Sequence, residues 1–394
     1  MAAIIDYRGK TPPKTEAGVP LVTAKIVKGG RLLEVGEFIA EDYYDTWMRR
    51  GLPKVGDVLI TTEAPMGEVA QLSDARVALA QRIILLRGAP NLLDNTFLRF
   101  ALQAPGVQSR LRARTTGTTV TGIKQKELRK VLLPVPPLLE QRRIAAVLGA
   151  LDDKIELNRK MNRTLEEMAQ AIFKSWFIDF DGHDDLVDSE LGPIPRGWDV
   201  GGIDAVADNV RDTVDPSSLP DDTPYVGLEH VPRRRVALDT WGWASDAGST
   251  KTRFQRGDTL FGKLRPYFHK VVPAPVDGVS STDILVIRPR HDQWRWFAFG
   301  HLYSDAMVAH TTAAADGTKM PRTNWKDLCR FPVALPPNQR AAEYGRSVLP
   351  MFERIAANVQ ASRTLAELRD TLLPKLISGE LRVPEAEDLV EAAS

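Results

Sequence analysis

The sequence predicts an α+β fold made of two copies of one unit: a β-rich, mixed α/β domain followed by a long helix, with the two helices zipped together. Two observations predict it. The first is the stretch from Pro136 to Phe177. Its two leading prolines forbid helix before it, and only Gly149 interrupts it afterwards. Apolar or Asn residues recur at alternating steps of four and three: Ile144, Leu148, Leu151, Ile155, Asn158, Asn162, Leu165, Ala169, Ile172 and Trp176. A heptad seam of that length needs a partner helix, and Glu140–Phe177 alone makes a rod of roughly 57 Å. The second observation is the partner, 200 residues later. Pro336 and Pro337 answer Pro136 and Pro137, and the seam Val348, Met351, Ile355, Asn358, Ser362, Leu365, Arg369, Leu372, Leu376 repeats the first, position by position. Arg-Thr-Leu occurs at 163–165 and again at 363–365. A long-period repeat governs the whole reading of a chain.

Taken in order, the first domain occupies residues 1–137. GVPLVTAKIVKGGRL and KVGDVLITTEAPMGEVAQL read as short strands with turns at Gly29-Gly30 and Gly56-Asp57. ARVALAQRIILLRG continues in β. NTFLRFALQAPGVQSRLRARTTG reads as helix, ending in the polar loop Gly117–Lys124. A short helix, KQKELRK, and a strand, VLLPVP, lead into the central helix, 138–180. Residues 181–337 form the second domain, opening with an acidic linker (181–198) that reads as passing over the surface. From there the pattern retraces the first domain: DTPYVGLEHVPRRRV, FQRGDTLFGKLRPYFHKVV, GVSSTDILVIRP, then helix, glycine loop Gly317–Arg322 and exit strand. The distal helix spans 338–380, and 381–394 reads as a polar, frayed tail. Asn158 and Asn358 share one seam position. A buried amide there costs stability and penalises slipped alignments, so both are read as helix-register residues that face each other or nearby polar groups.

Composition excludes several classes. At 43% hydrophobic and 26% charged this is an ordinary globular chain. No apolar run reaches the ~20 residues of a membrane span, and the N-terminus does not read as a signal peptide. Cys329 is the single cysteine, so no intrachain disulfide is expected and a reducing cytoplasm fits. No phosphate-binding GxxxxGK[ST] loop, no glycine-rich S-adenosylmethionine fingerprint and no Asn/Asp-Pro-Pro-aromatic motif is present, and the six histidines are scattered. No catalytic and no metal-ligating residue is therefore expected. The net charge of +1 hides a pattern: +7 over 1–139, balance over 140–180, −10 over 181–222, +6 over 223–338 and −2 over 339–394. Two basic domains on a neutral scaffold suit a polyanion-binding protein.

The helix starts PLLEQRRIAAVL and LPPNQRAAEYG, the exit FKSWFIDFD and the ending LLPKLISGELRV, with DYRGKTPPKTEAGVPLV, GDTLFGKLRPYFHK and DGTKMPRTNW, carry a resemblance that covers nearly the whole chain. It resembles the specificity (S) subunit of type I restriction-modification enzymes. The resemblance implies two target-recognition domains separated by an antiparallel pair of helices with internal pseudo-twofold symmetry. Each domain reads half of a split, asymmetric site in double-stranded DNA, and the helices fix the gap. It also implies no catalysis by this chain. Two methyltransferase (M) subunits use S-adenosylmethionine, and R subunits with ATP and magnesium join in restriction complexes; a methylation-only complex is the alternative. GPIPRGWDVGGIDAVADNV, before the second domain, has no equivalent before DYRGKTPP, so a late-assigned start or a trimmed first domain is expected.

Under that reading phosphate contacts come from basic loops, and bases are read by polar side chains at a groove edge. The candidates in the first domain are Thr61, Thr62, Gln81, Arg82, Arg110, Arg112 and Arg114. In the second they are Lys263, Arg265, Tyr267, Lys270, Ser281, Thr282, Lys319 and Arg322. The glycine loops either touch phosphate or pack the domain onto its helix base. Two rivals remain at this point: a methyltransferase or nuclease with a degenerate motif, and a coiled-coil scaffold without a DNA role.

Overall fold

The structure, a computed structural model, describes residues 1–7, 11–117, 121–317 and 319–393. The chain divides into two compact units, Met1–Lys154 with Leu365–Ser394, and Ile155–Thr364. It is a mixed α/β chain with two long helices.

In the first unit a four-stranded antiparallel sheet runs in the order Ala3–Asp6, Ile83–Arg87, Val58–Thr62, Met66–Gln71. Leu59 pairs with Leu85 and Ile60 with Ile84. The strand Val58–Thr62 is buried on both faces, which alternation explains. Val58, Ile60, Ile84 and Leu86 point to a cluster with Leu98, Leu102, Val107 and Leu111 of the helices Asn95–Gln103 and Pro105–Arg112. Leu59, Ile83 and Leu85 point to a second cluster with Val19, Leu21, Val22 and Ile39. Successive side chains of a strand face opposite ways, so one sheet serves two cores. A smaller sheet sets Val19–Val22 parallel to Ala78–Leu79.

The second unit follows the same plan. Its sheet runs Ala207–Val210, Ile284–Pro289, Thr259–Gly262, Val271–Pro273. Leu260 and Val286 face one cluster, Phe261 and Ile287 the other. Pro224–Val226 lies parallel to Gly278–Ser280, as Val19–Val22 lies beside Ala78–Leu79.

One device recurs in both units. Gly56 and Gly257 take φ of 86° and 89° in the turn before a central strand, a conformation that costs glycine little. The aspartate that follows is buried and clasps an arginine 30 residues later. Arg87 donates Nε and Nη2 to Asp57 at 2.7 and 2.6 Å, and Arg288 donates the same pair to Asp258 at 2.8 and 2.7 Å. Each aspartate also accepts the backbone N–H three residues before it, from Lys54 and Gln255.

The first long helix is Leu138–Phe177 and the second is Asn338–Ser378, which continues through Pro350 and Pro374. Within the second unit Asn158 Nδ2 donates to Ser362 Oγ at 3.1 Å, and Asn358 Nδ2 to Asn162 Oδ1 at 2.8 Å. Asn158 and Asn358, each 3% exposed, therefore meet polar groups on the opposite helix, not each other. Within the first unit Asp152 takes two arginines: Arg99 at 2.9 Å and Arg369 at 2.7 Å. Two hundred residues on, Phe299 and Phe352 stand where Arg99 and Asp152 stand, and their rings meet edge to face at 5.4 Å, with Trp296 stacked on Phe352 at 3.7 Å. Gly300 gives Phe173 its room: a Cβ there would lie 2.2 Å from the ring.

Three sequence expectations are corrected. The supposed surface linker contains a hairpin, Leu186–Ser189 with Gly192–Pro195, and Ile194 and Trp198 are buried in the core with Phe177. The supposed frayed tail is the helix Val383–Ala393, with Val383 and Ala386 buried. Residues 131–137 form no strand, although their counterpart Pro332–Leu335 pairs with Asp199–Gly202. The N-terminal strand Ala3–Asp6 was not anticipated.

Candidate nucleic-acid interface

In the second unit the loop between Thr259–Gly262 and Val271–Pro273 is built on two left-handed residues. Arg265 (φ 52°) and His269 (φ 49°) bracket a single 3₁₀ turn, Pro266–Phe268. Non-glycine residues hold that conformation only where their surroundings fix it. Arg265 N–H donates to Pro321 O at 2.7 Å, and its Nη2 to Lys319 O at 3.3 Å. His269, 3% exposed, has Nε2 2.7 Å from Tyr303 O and Nδ1 3.4 Å from Asp305; burial holds its pKa below the usual imidazole range. The loop is also stitched to the 233–235 arginine run. Arg234, itself left-handed at φ 50°, donates its N–H to His269 O at 2.9 Å and its guanidinium to Asp305 at 2.9 Å. Arg233 lies over the Phe268 ring at 3.7 Å.

The other candidates of this unit lie around that loop. Lys263 exchanges backbone bonds with Asp283 and Thr323. Arg322 reaches Asp283 at 3.2 Å and is bridged to Leu264. Tyr267 is 47% exposed and sets its ring edge to face with Phe268. Lys319 and Thr282 are exposed and Ser281 is half-buried, its Oγ accepting from Asp283 N–H. Lys270 is corrected: its ammonium turns inward to Leu228 O, and burial lowers its pKa.

In the first unit two candidates are corrected outright. Thr61 and Thr62 are 0% and 3% exposed. Thr61 Oγ1 accepts Glu68 N–H, and the Thr62 backbone bonds Arg82 and Ile123. They belong to the sheet, and no groove edge can reach them. Arg82, left-handed at φ 73°, pairs with Glu63 at 2.7 Å, and Gln81 donates to Thr11. Arg110 donates to Leu132 O, Arg112 to Ser109, and Arg114 pairs with Glu127 at 3.5 Å. Each arginine has its own partner; the structure does not focus the three on one point.

Both glycine loops fold back on the turn after the central strand. Gly122 bridges Glu63 and Thr116, and Arg322 bridges Leu264 and Asp316. Residues 118–120 and 318 of these loops, and 8–10 of the first domain, lie outside the described residues. Sequence reading passed over Arg233 and Phe268; the run of three arginines at 233–235 was the available signal. Among the described residues no group of three or more His, Cys, Asp or Glu could hold a metal ion, and no helix is long and apolar enough to cross a membrane.

Residues 8–167 match the family described as the type I restriction modification DNA specificity domain. The relatives that this chain resembles are specificity subunits of type I restriction-modification systems. The MjaIX specificity subunit of Methanocaldococcus jannaschii is 26% identical over 365 residues, covering 85% of this chain and 80% of the relative. The EcoDI specificity subunit of Escherichia coli is 25% identical over 321 residues, covering 74% and 71%. The solved S subunit of a type I restriction-modification system from M. genitalium shares the fold, with a TM-score of 0.52 at 15% identity over 92% of this chain and 93% of that one.

Proposed function

We propose that this chain is the sequence-reading, non-catalytic subunit of a type I restriction-modification complex. Each domain reads one half of a bipartite, asymmetric site in double-stranded DNA. The two long helices pack as an antiparallel coiled coil about an internal pseudo-twofold, set the spacer between the halves and dock two methyltransferase subunits. One observation carries this reading: the frame is duplicated and the loops are not. Strand order and the buried Asp–Arg clasp recur, whereas Thr61–Pro65 and Gly262–Pro266, at the same place in the sheet, differ in every side chain but the proline. A shared frame with different loops is what two different half-sites require.

The DNA-facing set is Gln81, Arg82, Arg110, Arg112 and Arg114 in the first domain, and Lys263, Arg265, Tyr267, Ser281, Thr282, Lys319 and Arg322 in the second. Basic members give affinity and register through phosphates. S-adenosylmethionine belongs to the M subunits, and ATP with magnesium to R subunits where they join, in the cytoplasm. Single-molecule sequencing of DNA from cells expressing this chain with its M subunit tests the proposal. The expected result is a methylated-adenine motif with two defined halves and a fixed gap. No new motif from a soluble, associated complex would reject it.

A further inference from the structure

We propose that Arg233 is a guanine-reading residue of the second domain, held for that task on the face of Phe268. The inference rests on the DNA-recognition reading above and names one contact within it.

The three arginines 233–235 look alike in sequence and differ in structure. Arg234 is spent on scaffolding: its backbone is left-handed, its N–H is bonded to His269 O and its charge is paired with Asp305. Arg265, across the loop, is anchored to Lys319 O and Pro321 O. Arg233 is exposed, and among the described residues its only partner is the ring beneath it. Its guanidinium carbon sits 3.7 Å from the Phe268 centroid, a close stacking distance. Stacking occupies one face of the guanidinium and leaves its edge of N–H donors open.

That ring is itself fixed. Phe268 N–H donates to Arg265 O, closing the 3₁₀ turn, and Tyr267 packs against it edge to face at 4.8 Å. The loops carrying Arg233 and Phe268 are tied together by Arg234 N–H to His269 O. Three left-handed non-glycine residues, Arg234, Arg265 and His269, occur in these two loops. Such conformations cluster where a functional group must be held in one orientation.

The chemistry selects a base over a phosphate. A phosphate accepts ammonium or guanidinium donors from many directions and does not require a side chain held in one orientation. A planar fork with one face covered, pre-oriented and short of a carboxylate, suits the paired acceptors O6 and N7 of guanine in the major groove. The flat ring beneath lowers the ordering cost of that fork.

The test uses the complex of this chain with its M subunit, as wild type and as Arg233→Ala and Arg233→Lys. Readouts are the methylated motif across a genome and competition binding with base-substituted duplexes. One half of the wild-type motif should contain a guanine at which Arg233→Ala loses roughly ten- to hundred-fold of its discrimination, with all other positions unchanged. Arg233→Lys should keep affinity and lose much of that discrimination, because an ammonium lacks the fork. An unchanged motif, or binding weakened equally for all sequences, overturns the proposal and makes Arg233 a surface or phosphate residue. A wild-type complex with no bipartite motif would instead bring down the recognition reading itself.

Discussion

At the scale of single residues, the buried charges carry the most weight. Asp258 is 3% exposed and holds Arg288 with two bonds and Gln255 N–H with a third. Asp258→Ala removes all three bonds and should cost about 2 kcal/mol, read as a lowered midpoint in denaturant unfolding. His301 makes the opposite case. It is packed between Phe173 and Phe297, its Nε2 without a hydrogen-bond partner among the described residues, and burial lowers its pKa to about 3. Above the ordinary imidazole value of about 6.5, folded and unfolded states are both neutral and nothing is lost. As pH falls below that value the unfolded chain takes up a proton that the folded one refuses, so stability declines down to about pH 3. From pH 7 to pH 5 this histidine alone should cost roughly 2 kcal/mol, and His301→Leu should remove that part of the acid sensitivity in parallel unfolding curves. Sequence could not reveal either residue's role. Thr61 and Thr62 failed as candidates for the same reason that His301 escaped notice: burial on the second face of a strand or helix depends on what covers it. That cover comes from residues distant in sequence.

At the scale of elements, periodicity was the readable quantity. The seam positions Ile144, Leu148, Leu151, Ile155 and Asn158 are all buried, as are Val348, Ile355, Asn358, Leu372 and Leu376. The two amides were legible because the heptad put them there. Their partners were not, since Asn162 and Ser362 are set by the stagger of one helix on the other. Asn358→Leu alone leaves the Asn162 carbonyl buried without its donor and should destabilise by about 1–2 kcal/mol. Replacing Asn162 and Asn358 together by Leu should raise the melting temperature while loosening register, visible as a mixture of spacer lengths in the methylated motif. Segments without periodicity were misread. The hairpin after Phe177 is rich in Asp and Gly and looks like a surface linker, yet Ile194 and Trp198 drive it into the core. Alternating Val and Ala–Leu spacing in Val383–Ala393 was too short to outweigh its acidic composition.

At the scale of the whole chain, the repeat was legible because an offset of 200 residues is kept through the helices and their seam, and the clasp repeats within one residue of it. Adding one heptad to both long helices extends each by about 10 Å, and under the proposed function should widen the motif's spacer by roughly three base pairs; an unchanged spacer would reject the helices as its determinant. The repeat is not uniform. Arg99, Asp152 and Arg369 fasten one unit with charge, where Trp296, Phe299 and Phe352 fasten the other with rings. These fastenings answer to different solvents. The penalty for burying ions shrinks as temperature rises, while apolar attachment fades on cooling. Heating therefore eases the fastening of the charged unit, and chilling loosens that of the aromatic one, so the same protein carries one half suited to warmth and another vulnerable to frost.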